Sequence, residues 1–366
     1  NEGLSLETPV KSFQRAKEVL DANAQLSIIY VTGTVEIRSD AIWSLDGTLQ
    51  RYPGFTGNLV GISSGTLTLK DITLDGSSKM NTSGTSSLVK VNPSSTLKVL
   101  ENAILQNNDA TKNDGSFTCG GAIYNNGNLY IAGGTIQNCK ALLGGGIYSH
   151  GGAITMNAGT MQNNRAAENS RMINQSAGGA IMLGYGATLT MNGGTIKDNV
   201  SDHFGGGISL GSINSAFVDI KNSFVMNGGN IDGNTSGNTG GGIFVQCNCE
   251  ATINAGYITN NRSKSGQFGG GGIYVNGGRE NFDSSKVFVN GQLNLYNTVI
   301  RDNTAGVSGG GIANCPTSNF NLYLSNGGAI YQNEATDAED ILVWDTYVGG
   351  VSHAFLSEYM LGGGLY

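Results

Sequence analysis

The sequence predicts an all-β fold, a right-handed parallel β-helix of about ten rungs with a short capping α-helix at its N-terminal end. Three observations predict it. The segment Gly-Gly-(Ala/Gly)-Ile recurs with its Ile at 123, 147, 181, 208, 243, 273 and 312. A second mark follows each copy: an apolar residue, two polar residues, then usually Asn. Between the marks lies a strand whose apolar residues alternate with polar ones at the same place in every repeat.

The second mark reads Ile136-Gln-Asn-Cys139, Met161-Gln-Asn-Asn164, Ile196-Lys-Asp-Asn199 and Ile231-Asp-Gly-Asn234, then Ile258-Thr-Asn-Asn261, Ile300-Arg-Asp-Asn303 and Ile330-Tyr-Gln-Asn333. An earlier copy, Leu105-Gln-Asn-Asn108, lacks the glycine partner. Taking register from this mark, one inward column reads Ile131, Met156, Met191, Met226, Ile253 and Leu295. Its neighbour reads Leu129, Ile154, Leu189, Phe224, Ala251 and Leu293. Period-2 alternation means that one face of each strand is buried. In the last repeat the pattern slips by one, with Leu322 and Leu324 carrying it.

One repeat of 24 to 39 residues cannot bury its own apolar face, and stacking solves that problem. Equivalent residues then lie above one another at about 4.8 Å. Stacked asparagine amides satisfy the backbone of one corner, and the glycines form another, where a positive φ or a close backbone approach excludes a Cβ. Gly at 58 of 366 residues argues against helices, where each costs about 1 kcal/mol. A propeller blade needs four strands over about 40 residues, and these repeats hold two or three.

The ends differ from the middle. Thr8-Pro9 predicts a helix start, with Phe13, Ala16 and Leu20 as its apolar stripe up to about Asn23. Such a helix covers the open end of the coil. Ile28-Ile-Tyr-Val31 is the first strand. The expected organisation is a cap over residues 1–27, the β-helix over 28–340, and a closing segment or the start of a further region over 341–366.

Charged residues make up only 13% of the chain, against about 25% usually, and Pro is 4 of 366. Low charge with regular apolar spacing opposes disorder. Net charge is −7 with no cluster of Lys or Arg, which argues against nucleic acid and anionic membrane as partners. No apolar run reaches the roughly 18 residues of a membrane span. The chain opens at Asn1 without Met and is expected to be a piece of something longer. Five Cys is an odd number, so at least one thiol is unpaired within the chain. Cys247 and Cys249 are expected on one strand face, a poor geometry for a bridge. A Cys119–Cys139 bridge stays open, and most of the five are expected to be buried thiols. No CxxC pair exists and the three His are scattered, so no metal or cofactor is expected.

The paired marks resemble the repeats of polymorphic outer-membrane adhesins. The fuller form, Leu189-Thr-Met-Asn-Gly-Gly-Thr-Ile-Lys-Asp-Asn199 followed by Gly205-Gly-Gly-Ile208, resembles β-helical repeats of large surface proteins of Gram-positive bacteria. Thr8-Pro-Val-Lys-Ser-Phe13 with Ile29-Tyr-Val-Thr-Gly-Thr34 is similar to the opening of pectate-lyase-like β-helices. The resemblance implies a secreted or surface-attached bacterial protein whose partner is a glycan or a host or cell-surface protein. It names no reaction, because that fold hosts adhesins, lyases and hydrolases alike.

Four places invite chemistry. Asp71 and Asp75, with Lys70 nearby, share strand parity; the plainer reading is a polar outer face ending in an Asp-Gly turn. Asp198 and Asp302 share a repeat position but are separated by rungs carrying Gly233 and Asn260. His203 lies beside Asp202, though adjacent residues on extended chain point apart. His150 and His353 have no visible partner. The fourth place is a pair of insertions, Gly211 to Phe224 and Asn276 to Asn290, which share a corner with one rung between them and wall a groove about 10 Å wide. In the second, Arg279, Glu280, Phe282 and Asp283 set an aromatic platform beside polar groups, the pattern that suits a sugar; the plainer reading is a solvated loop. A third insertion, Arg165 to Ala177, belongs to a different corner.

The leading expectation is therefore a non-catalytic extracellular adhesin or stalk that presents loops to glycan or protein. The alternative is a polysaccharide lyase or glycoside hydrolase, which predicts clustered carboxylates with Lys or Arg in one groove, and Ca²⁺.

Overall fold

The structure is a computed structural model that describes residues 3–343 apart from 82–83, 112–116, 170–172, 212–219, 265–268, 278–289, 316–317, 325–326 and 336–340. The described residues form three parallel sheets of 17, 11 and 7 strands in a parallel β-helix, the smallest of them starting only at Lys140–Ala141. The 11-stranded sheet collects the strands that follow the glycine corner. Its register sets Ile123, Ile147, Ile181, Ile208, Ile243, Ile273 and Ile312 directly in line. The sheet begins at Val35–Ile37 and its last strand is Ile341–Val343.

The 17-stranded sheet holds both inward columns. One runs Leu97, Leu129, Ile154, Leu189, Phe224, Ala251, Leu293 and Phe320. The other runs Val99, Ile131, Met156, Met191, Met226, Ile253, Leu295 and Leu322. With the second-mark residues they form one continuous core. Burying each such side chain is worth about 1.5–3 kcal/mol. The last rung corrects the expected slip: Phe320 and Leu322 take the inward places, and the irregularity lies after them. Leu322 is eight residues before Ile330, where Leu295 is five before Ile300, so a local insertion absorbs the mismatch.

The seven-stranded sheet consists of two-residue strands such as Val200–Ser201 and Thr235–Ser236, each just after the asparagine corner. That corner has two parts. Asn107, Asn138, Asn163, Asp198, Gly233, Asn260, Asp302 and Gln332 all have φ between 53° and 64°, a region in which Asn, Asp and Gly are the least strained residues. The next residue is buried. Asn164, Asn199, Asn234, Asn261, Asn303 and Asn333 form a ladder, each Oδ1 accepting from the main-chain N–H of the residue one rung earlier. Each Nδ2 donates to the carbonyl of the second-mark residue one rung earlier. These bonds span 2.9–3.1 Å.

At the glycine corner, the rung at 205–208 shows why two glycines are needed. Gly205 has φ +58°, and a Cβ on Gly206 would fall 2.3 Å from the Gly241 carbonyl oxygen of the next rung. The third position is less tight: Ala122 and Ala180 occupy it on two rungs, and a Cβ on Gly207 would fall 2.7 Å from the Gly242 carbonyl oxygen.

The N-terminal helix is Phe13–Asp21, capped by Ser12, whose Oγ accepts from the Arg15 N–H at 3.2 Å. Thr8 is not its start, because Thr8 belongs to a turn in which its N–H donates to the Ser5 carbonyl. The expected stripe is present. Ala16 and Leu20 are buried, and Phe13 stacks on Trp43 with centroids 4.2 Å apart.

A second, smaller core lies outside the 11-stranded sheet. The residues after each Ile mark point outward, yet Tyr148, Met182, Phe244 and Tyr274 are buried. Leu142, Leu143, Ala177 and Phe204, from the arc between the short strands and the glycine corner, cover them.

Candidate functional site

The cover over this outer face ends near Tyr124. Along one column the register runs Glu36, Gly61, Lys90, Tyr124 and Tyr148. Tyr148 is 2% exposed, Tyr124 is half-buried, and Lys90 and Glu36 are exposed. Where the cover stops, a groove of about 410 Å³ opens, with Lys90, Tyr124 and Asn126 on its floor and Asn58, Thr85, Ser86, Ser87, Phe117 and Thr118 in its walls.

The walls are braced from behind. Asn58 donates to the Ser87 carbonyl at 2.8 Å, the Ser87 hydroxyl donates to the Cys119 carbonyl at 3.1 Å, and the Thr85 hydroxyl donates to Asn108 Oδ1 at 2.8 Å. Behind them lies Arg51, wholly buried, whose guanidinium donates to the Gly57 and Ser86 carbonyls and to Asn108 Oδ1. Burial pulls its pKa down to about 10.

On the floor, the Tyr124 ring packs beside Tyr148 with centroids 5.4 Å apart and approaches His150, which packs on Tyr185 at 4.0 Å. Burial raises the Tyr124 phenol, helped by the neighbouring Cys119 and Tyr185. Asn126 Oδ1 is buried without a hydrogen-bond partner, a cost borne inside the groove floor. Among the described lining residues Lys90 is the only charged one and none is a carboxylate. Burial pushes the Cys119 thiol up to about 12, far from a reactive thiolate. Among its described residues the site therefore has an aromatic face, a cation and many hydroxyl and amide groups, and no nucleophile with a base.

The other candidates resolve into local structure. Asp71 and Asp75 do not share a strand face, because the chain turns between strands Thr66–Lys70 and Thr73–Asp75 with Asp71 at φ 49°. Asp71 accepts from Asn102, Asp75 accepts from Gln106 and Asn107, and Lys70 pairs with Glu101. Asp198 and Asp302 are left-handed corner residues. Cys247 and Cys249 flank a turn, with the Cys249 N–H donating to the Gln246 carbonyl. None of Cys119, Cys139, Cys247, Cys249 and Cys315 forms a disulfide.

His203 does not face Asp202. Asp202 pairs with Arg165 at 2.6 Å, while His203 Nδ1 lies 3.8 Å from Glu168 Oε1 and Nε2 lies 3.0 Å from Asn238 Nδ2. Burial raises the Glu168 carboxyl and lowers the His203 imidazole. Both shifts favour the neutral forms.

Arg279, Glu280, Phe282 and Asp283, like His353, lie outside the described residues. The flanks of the two insertions do share a corner, at Leu210 and Val275, with the Gln246–Cys249 turn on the rung between. Among the described residues no three of His, Cys, Asp and Glu gather as a metal site, and no helix is long and apolar enough to cross a membrane. Comparison with known protein families, curated proteins and solved structures finds no match to this chain.

Proposed function

We propose that this chain is a non-catalytic glycan-binding β-helix, displayed on a bacterial surface or secreted, and that the groove at Tyr124 takes the sugar. The observation that carries the reading is the composition of that groove: a half-buried tyrosine face, walls of hydroxyl and amide side chains, and the Lys90 cation. A pyranose has an apolar ring face for the first and hydroxyl groups for the others. Glycoside hydrolysis needs two carboxylates about 5–9.5 Å apart, and no described lining residue supplies one. Surface placement rests on the resemblance of the repeat marks to bacterial surface proteins.

The test is a glycan and polyuronate panel run on the whole chain with Ca²⁺ or EDTA, followed by calorimetric titration of each hit. Saturable binding without product, weakened about tenfold (about 1.4 kcal/mol) in Tyr124→Ala, is the expected result. Release of unsaturated or reducing ends overturns the non-catalytic reading. Titrations unchanged in both Tyr124→Ala and Lys90→Ala overturn the groove.

A further inference from the structure

The outer face of the 17-stranded sheet, separated from the groove by the core, carries a second ordered surface. Each residue just after the second inward column points outward. From the Met156 rung onward these are Asn157, Asn192, Asn227, Asn254, Tyr296 and Tyr323, one per rung. The asparagines form a ladder: Asn192 Nδ2 donates to Asn157 Oδ1, Asn227 to Asn192 and Asn254 to Asn227, each at 2.8 Å. Tyr296 and Tyr323 continue the line as a stacked pair, centroids 5.1 Å apart and planes within 15°, with Tyr323 54% exposed.

The neighbouring column, two residues earlier, reads Thr155, Thr190, Val225, Thr252, Asn294 and Asn321. It too is tied from rung to rung where amides allow, with Asn321 donating to Asn294 at 2.9 Å. Neither column holds a charge over six rungs, about 24 Å at about 4.8 Å per rung.

We infer that this stripe is a docking surface for a neutral polysaccharide lying along the solenoid axis, a partner distinct from the groove's ligand. The inner ladder amides, Asn192 and Asn227, each spend one N–H and one lone pair on their neighbours. A second N–H and a second lone pair remain for a ligand. The ladder also fixes the side chains before binding, so little rotamer entropy is lost on association. A partner must match three features: no charge, since Glu250, the carboxylate that accepts from Asn294, is already paired with Lys221; donors and acceptors repeating at about the length of one sugar ring; and apolar ring faces for the tyrosine pair. Nucleic acid and polyuronate fail the first, and an extended neutral sugar polymer meets all three.

The test is depletion of the whole chain from solution by microcrystalline cellulose and by chitin. It is run for wild type, for the double variant Asn192→Asp/Asn227→Asp, which keeps side-chain size while adding two charges, and for Tyr296→Ala/Tyr323→Ala. Circular dichroism and the calorimetric titration of the groove are recorded for each. The inference expects wild type to be retained by at least one solid in 1 M NaCl. It expects at least a fivefold loss of retention in both variants, with spectra and groove titrations unchanged. Wild type left in solution by both solids overturns it, as does retention that salt abolishes or that both variants keep. Because the groove is read in a separate titration, its failure and the failure of the stripe give different results.

Discussion

Replacing Asn234 by Ala tests whether the buried amide ladder, and not the apolar columns alone, holds one rung on the next. In the native chain Asn234 Oδ1 accepts from the Asn199 N–H at 3.1 Å and from Asn199 Nδ2 at 3.0 Å. Its Nδ2 donates to the Ile196 and Asp232 carbonyls and to Asn261 Oδ1. Truncation spares part of this: Asn199 Nδ2 keeps the Met161 and Lys197 carbonyls, and Asn261 Oδ1 keeps the Asn234 N–H. The Asn199 N–H is left buried with no acceptor, at about 1–3 kcal/mol, and the lost side-chain donor adds about 1 kcal/mol. The expected destabilisation is thus about 2–4 kcal/mol. Asn192→Ala is the control, because it breaks two ladder bonds at an exposed place and is expected to stay within about 0.5 kcal/mol. Urea unfolding followed by circular dichroism gives both values. Amide hydrogen exchange at Asn199 localises the effect, since a solenoid spreads stability only between neighbouring rungs. Equal costs for the two variants, or less than about 1 kcal/mol for Asn234→Ala, would refute the argument.

Three further outcomes follow from the same geometry. Gly206→Ala drives a Cβ to 2.3 Å from the Gly241 carbonyl oxygen and 2.5 Å from Thr235 main-chain atoms; it should cost at least the ~1–3 kcal/mol of an overpacked core, whereas Gly207→Ala, in the column that already holds Ala122 and Ala180, should cost less, and reversed urea midpoints would be incompatible with the close-approach account. Cys139→Asn restores an amide where the ladder is interrupted, able to donate to the Leu105 carbonyl as its counterparts donate one rung back, and should raise stability by about 1 kcal/mol; an unchanged or lowered midpoint counts against it. Burial pushes the Cys119 and Cys139 thiols up to about 12, so the folded chain keeps protons that the unfolded chain releases from its ordinary value near 9. Their contribution is present in full below pH 9 and is lost as pH rises toward 12, at up to about 1.4 kcal/mol per unit for each thiol; unfolding free energies measured from pH 8 to 11 should fall, and a Cys139→Ala variant should fall less steeply.

The middle of the molecule was legible because repetition puts one physical problem at one place many times. A glycine pair, an inward apolar pair and a corner asparagine each solve a steric or hydrogen-bonding need that recurs on every rung, so the columns read from spacing meet in the observed register. Where the need occurs once, spacing carries no such signal. Thr8-Pro9 has the chemistry of a helix start, but Ser12 caps the helix and Thr8 closes a turn. Asp71 and Asp75 have strand parity only if no corner falls between them, and one does. Arg51 carries no sequence sign of its burial, since its partners are main-chain oxygens and Asn108, far apart in the chain.

The groove was missed for a related reason. Its walls come from the irregular rungs at 58 and 85–87, which lack the paired marks, and from 117–118, on the arc that leads into the first glycine mark. A signal was nonetheless present. The residue after each Ile mark should be polar if its face met water, yet the column reads Tyr124, Tyr148, Met182, Ser209, Phe244, Tyr274 and Ala313. An outward column that is largely apolar demands a cover. The arc residues Leu142, Leu143, Ala177 and Phe204 supply it over the later rungs. A cover built from arcs ends where the regular arcs end, and the first aromatic beyond it, Tyr124, is left on the floor of the groove. On a solenoid, binding sites can arise in this way without any catalytic motif: the regular rungs set the spacing of the surface, and the rung at which the regularity stops sets the place of the groove.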